Sequence, residues 1–175
     1  FQGDNRYNDQ LPDFGTAQFR AQSRKFTQDW LQRVEAIGAD GLQGQALLSY
    51  EIFVRDARNA LEGTQFPGWM QPLNQFYNFA STAVQLGSGT SAQPFTTVDD
   101  YDDWRKRASQ LPVIFDQAIA NMRIGMREGV VQPTALMEKT LPQLDAIIKD
   151  SAEDTLFWMP IKNMPAEIPA AERVR

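Results

Sequence analysis

Apolar side chains recur along this chain at intervals of three and four residues, the spacing that stacks them on one face of an α-helix. Phe19, Phe26, Trp30, Val34 and Ile37 form one stripe, with Thr16 placed to cap its start and Gly38 to end it. Leu47, Tyr50, Val54, Ala57 and Leu61 form a second, which stops at Gly63. Neither stretch alternates apolar and polar residues as a half-buried strand would. A shorter helix is predicted from about Asn74 to Leu86, with Phe76, Phe79, Ala80 and Ala83 on one side.

Further along, Thr97-Val98-Asp99-Asp100 has the form of a capping box, in which Thr97 caps and Asp100 stands three residues on. Arg105, Lys106 and Arg107 follow on the same helix. Acids first and bases last complement the helix dipole, at about 0.3–1 kcal/mol per charge. These charges are expected on a solvated face. Pro112 suits the first turn of the next helix, whose stripe is Phe115, Ala118, Met122 and Met126 and whose end is Gly129. Pro133 opens another, with Met137, Leu141, Leu144 and Ile148, and Pro142 inside it is expected to kink or restart the helix.

The pattern breaks at three places. Pro67-Gly68 and Pro72 flank Trp69 and Met70 in a loop, residues 87–93 form a polar Gly/Ser break, and residues 156–169 are an apolar, Pro-containing tail expected to run extended. The fold class that follows is all-α: an irregular array of about five or six helices with short Pro/Gly-containing connectors. One helical domain or subdomain spans residues 1–175. It is expected to be truncated at both ends, because Phe1 rather than Met opens it and Ala170 to Arg175 is a helix-forming run without a stop signal.

Composition removes several chemistries. With no histidine and no cysteine in 175 residues, the chain cannot build Cys–His pairs, Ser–His–Asp triads or disulfides, and it lacks the usual zinc ligands. No catalytic or metal residue and no cofactor is therefore assigned within it. A net charge of −5 and a basic cluster offset by nearby aspartates argue against nucleic acid. No apolar run approaches the roughly 18 residues of a membrane span. Glu51 with Asp56, Asp99 with Asp103, and Glu138 with Asp145 could in principle do acid/base work, but each is expected on a helix surface. Gly87 to Gly89 has neither the lysine nor the helix that a phosphate loop needs.

The segment Trp69-Met70-Gln71-Pro72-Leu73-Asn74-Gln75 is the best ligand candidate. Trp69 can stack on an extended ligand, and the carboxamides of Gln71, Asn74 and Gln75 can hydrogen-bond to it. The competing reading is a plain loop anchored in the core by Trp69.

Four segments in register carry a family resemblance: Phe1 to Asp9 followed by Leu11-Pro12-Asp13; Met70 to Gln75; Pro94 to Tyr101; and Arg127 to Pro133 leading into Glu138-Lys139. They resemble the amino-terminal part of a bacterial family catalogued as domain of unknown function 885. One departure is Asn5, where relatives commonly place a histidine. The resemblance implies a largely helical protein of the cell envelope or periplasm, often lipid-anchored. It also implies a carboxy-terminal half with a His-Glu…His signature like that of zinc metallopeptidases, so zinc is expected there and not in these residues. On that resemblance the chain is the non-catalytic helical portion of a zinc-dependent peptidase. It would shape one wall of a peptide cleft, with the remainder of its own chain and a peptide substrate as partners. The rival reading is a stand-alone helical module that binds a protein or peptide and catalyses nothing. A carboxylate-based hydrolase acting alone ranks third.

Overall fold

In the computed structural model, which describes residues 4–173, Thr16 Oγ1 accepts a hydrogen bond from the Phe19 N–H at 3.2 Å and so starts helix α1, Ala17–Ile37. Gly38, at φ 75°, ends it in a conformation that an L side chain resists. Helix α2, Gly44–Gly63, follows and packs against α1. The two belong to a compact unit comprising Phe14–Trp69. Its core is small: Leu31, Val54 and Ala57 are buried, with Val34, Tyr50 and Leu61 against them. Arg58 Nη2 reaches Glu35 Oε1 at 2.6 Å across the pair. Not all of the expected stripe is covered. Phe26 is 65% exposed and Ile37 75% exposed, because a second helix can cover only part of a first. Phe26 instead meets the edge of Trp30 at 6.1 Å, and the Arg33 guanidinium lies over Trp30.

The second unit, in its described residues, joins 4–13 to 70–173. It contains α3 (Phe79–Gly87), α4 (Val98–Ala108), α5 (Leu111–Glu128), α6 (Thr134–Asp145) and the four-residue α7 (Met159–Lys162). Its core includes Leu11, Ala83, Val84, Leu86, Ile114 and Ile168. An aromatic cluster joins α4 to the tail: Phe95 meets Tyr101 at 5.2 Å and Trp104 at 6.0 Å, and Trp104 stacks on Phe157 at 6.2 Å. There is no strand among the described residues, and no helix there is long and apolar enough to cross a membrane.

The capping box of α4 forms as its sequence implies. Thr97 Oγ1 accepts from the Asp100 N–H, while Asp100 Oδ2 accepts from the backbone N–H of Thr97 at 2.8 Å and of Thr96 at 2.9 Å. Thr97→Ala should therefore cost about 0.5–2 kcal/mol in chemical unfolding. Burial pushes the Asp100 carboxyl up, but the hydrogen bonds from Thr96 and Thr97 outweigh it and hold the group below its ordinary value. A depressed folded-state value means that the stabilisation is complete above the unfolded-state pKa of about 3.9 and fades as pH falls through the folded one. The stability gap between the wild type and Asp100→Asn should narrow over that acid range. A gap independent of pH would remove the charge from the explanation.

Four expectations change. The helix predicted from about Asn74 begins at Phe79 instead, because Asn74 Oδ1 accepts from the N–H groups of Phe76 at 2.8 Å and Tyr77 at 2.9 Å. That turn removes the donors a helix would use, and Asn78 then caps α3. Arg107 is not on a solvated face. It is buried, while Arg105 and Lys106 stay exposed beside Asp102 and Asp103. The Gly/Ser break opens on two buried residues: Gly87 ends α3 under the Trp104 and Phe157 rings, and the Ser88 Oγ–H donates to Gln85 O. The tail expected to run extended over 156–169 winds into a turn at Leu156–Trp158 and then α7, since Pro160 fits a first helical turn and its carbonyl accepts from Tyr101 Oη–H at 2.8 Å. Residues 170–173 form a turn in which Arg173 donates to the carbonyls of Ile168 and Ala166. Phe1 to Gly3 at the head of the resembling segment, and Val174 and Arg175 at the end of the helix-forming run, lie outside the described residues.

Candidate functional site

Beyond the last turn of α2 the chain winds back on itself. Thr64 Oγ1–H donates to Leu61 O at 2.7 Å, Gln65 N–H to Glu62 O at 3.1 Å, and Phe66 N–H to Gly63 O at 3.2 Å. These bonds carry Phe66 and Trp69 to a groove of about 650 Å³ in the Phe14–Trp69 unit. Phe14 and Phe19 line it from the start of α1, and Arg20 and Arg24 line it one helical turn apart on the same helix. The volume lies within the range of roughly 300–1,000 Å³ typical of ligand sites. Phe14 and Phe66 remain 39% and 63% exposed, so the groove presents apolar surface that its own unit does not cover.

Its electrostatics are one-sided. Two arginines line the groove, and none of its described lining residues is acidic. The Arg20 guanidinium lies over the Trp69 ring at 4.2 Å from the centroid, and its Nη1–H donates to Gly15 O at 2.6 Å. A guanidinium stacked on an indole and bonded to a carbonyl is held in place, with further N–H groups left for another acceptor. Arg24 has neither an ion pair nor a protein hydrogen bond among the described residues. A second groove of about 670 Å³ in the same unit is lined by Phe26, Trp30, Ile52 and Phe53. It lacks comparable charge.

The four expected ligand residues are divided. Trp69 is half-buried and lines the groove. The boundary between the two units falls directly after it, so Gln71, Asn74 and Gln75 belong to the other unit. Asn74 is spent on its own turn. Gln75 gives its backbone carbonyl to Gln143 Nε2–H at 3.1 Å, and its Oε1 is buried without a hydrogen-bond partner among the described residues, as is Asn78 Nδ2. Gln71 is half-buried, and its side chain has no hydrogen bond among the described residues. Trp69 and the three carboxamides are thus divided between the two units.

No motif marks Arg20 and Arg24, but the sequence carries a signal for them. They stand four residues apart, and neither has an acid three or four residues away, whereas Lys25 has Asp29 and pairs with it at 2.8 Å. The carboxylate pairs Glu51/Asp56, Asp99/Asp103 and Glu138/Asp145 do not gather into a site. Asp56 bonds to Arg55, Asp103 bonds to Lys106, and all but Asp103 are exposed. No three acidic side chains among the described residues come together to hold a metal ion, and the sequence has no His or Cys to do so. These residues do not fit a zinc centre.

A family model described as "Bacterial protein of unknown function (DUF885)" matches residues 1–175. No curated protein and no solved structure matches the chain.

Proposed function

From the premise that this chain belongs to the DUF885 family over all 175 residues, we propose that it is the non-catalytic helical part of a zinc-dependent peptidase and forms one wall of its peptide cleft. The observation that carries the reading is the groove of about 650 Å³ around Trp69, where four aromatic rings line a concave surface of a size suited to peptide side chains. The reaction class comes from the metallopeptidase-like signature that the resemblance implies. With no His and no Cys in this sequence, any zinc would be held by residues outside it, and the setting the resemblance implies is the cell envelope. This chain's own residues would bind and orient the substrate and move no proton.

The test uses the full-length protein and a fluorogenic peptide. Turnover should be abolished by a chelator and restored by zinc. Trp69→Ala should raise KM roughly tenfold while leaving kcat within a few-fold, because it removes a stacking surface and nothing that changes in the transition state. Turnover insensitive to the chelator, or a KM unmoved by Trp69→Ala, would overturn the proposal. The rival binding module predicts no turnover at all.

A further inference from the structure

We infer that the Trp69 groove selects peptide segments that carry a carboxylate beside an aromatic or aliphatic side chain, and that Arg20 and Arg24 are the specificity-determining residues. That the ligand is a peptide rests on the cleft reading above; that it is negatively charged does not.

The chain carries a net −5, with 22 acidic residues against 17 basic ones, so an unpaired cation has abundant acids available to it. Lys25, Arg55, Arg58, Arg105 and Lys106 have a carboxylate within 3.5 Å, and among the cations that have none Arg20 and Arg24 stand out by lining one groove together. Arg20 and Arg24 line one groove, one turn apart, with no carboxylate in its described lining. Like charges at that spacing destabilise a helix slightly, and an anion between them reverses the sign of the effect. Arg20 is held by Trp69 and Gly15, so little freedom remains to be lost when it meets an acceptor. A planar guanidinium matches a carboxylate through paired N–H donors.

The apolar part of the ligand follows from the rings. Phe14, Phe19, Phe66 and Trp69 offer flat surfaces beside the two charges. The groove follows α1 from Phe19 to Thr27, which at about 1.5 Å per residue is roughly 12 Å. An extended peptide covers that length in about four residues. Acid and ring must therefore lie close together in the ligand, as neighbouring residues do. Two arginines in an acidic chain are too few for a nucleic-acid backbone.

The test is calorimetric titration of the full-length protein, at low ionic strength, with acetyl-Glu-Phe-Glu-Phe-amide and with its uncharged twin acetyl-Gln-Phe-Gln-Phe-amide. The acidic peptide should bind about tenfold tighter or more, and added salt should erode the difference. Arg24→Gln, at an exposed position that leaves folding intact, should weaken the acidic peptide about threefold to tenfold and leave its twin unchanged. Arg20→Gln should do the same, while Arg24→Glu should reverse the preference between the acidic peptide and a Lys-containing twin. Equal binding of acid and amide, no effect of either arginine, no binding, or binding only to phosphatidylglycerol vesicles would each overturn the inference. The two readings fail separately. Zinc-dependent, Trp69-sensitive turnover without acid preference sinks this inference alone, whereas arginine-dependent binding to a protein without turnover sinks the peptidase reading alone.

Discussion

Arg107→Met should destabilise the protein by about 4 kcal/mol, while Arg105→Met, two residues away, should fall within about 0.5 kcal/mol of wild type. The two arginines share a helix and a charge and differ in surroundings. Arg105 is exposed and meets Asp102 at only 3.5 Å. Arg107 is 4% exposed, and its guanidinium ties α4 to two other pieces of chain, residues 7–10 and Gln93. Nε–H donates to Gln10 O at 3.0 Å, Nη1–H to Gln93 Oε1 at 2.6 Å, and Nη2–H to Tyr7 O at 2.5 Å and more weakly to Asn8 Oδ1. Burial pulls its pKa below the ordinary arginine value, while Asp9 and Asp103 act in the other direction. Methionine would fill much of the volume and leave Gln93 Oε1 and Asn8 Oδ1 buried without this donor, which is the expensive half of losing a hydrogen bond. Arg107→Lys should recover only part of the loss, since an ammonium cannot reach acceptors spread around a planar fork. Unfolding in urea gives the magnitude. Hydrogen exchange gives the location: the Asn8 and Gln10 amides should lose protection before the amides of α5 do. Equal losses for Arg105→Met and Arg107→Met would show that the network contributes nothing particular.

That contrast also marks what a sequence reader can see. The Thr16 cap, the Thr97–Asp100 box and the end of α5 at Gly129 (φ 72°) depend on neighbours within five residues, and the residues alone disclosed them. Arg107 takes its partners from residues 97 to 100 positions away as well as from Gln93, and no local pattern encodes such contacts. A trace was present even so, because Arg107 stands three residues after Trp104 and so shares a helix face with it. Asn74 misled for a different reason. The apolar spacing from Phe76 onward is helical, but one carboxamide satisfies two N–H groups locally and delays the helix to Phe79. The candidate site was legible in part. Trp69 was picked out by its own chemistry, while Arg20 and Arg24 passed as ordinary helix charges, because only the return of the loop after α2 brings the tryptophan under the first of them.

Gly87 opens the polar Gly/Ser break of residues 87–93, and it should prove one of the least replaceable positions in the chain. Its φ is not in the left-handed region, so backbone strain does not forbid a side chain. As a helical residue it should even gain about 1 kcal/mol from alanine by propensity. Packing reverses the sign. A Cβ built there would overlap Phe157 Cδ1 and stand 2.5 Å from Trp104 Cζ2 and 2.6 Å from Phe157 Cε1, where the two rings stack at 6.2 Å and 21°. Aromatic rings in a stack cannot yield as the end of a lysine would, so Gly87→Ala should cost about 2–3 kcal/mol net and Gly87→Val more. Phe157→Leu should by itself cost a comparable amount through the space it leaves. The double variant is decisive. If the clash is with Phe157, Gly87→Ala with Phe157→Leu should be more stable than the sum of the single losses allows by at least about 1 kcal/mol, because the new methyl occupies what the ring vacates. Additive losses would mean that the tail does not pack on α3 through this glycine. A coupling would establish that the segment containing Phe157, apolar in sequence and without an evident partner there, is held by the one residue small enough to lie beneath it.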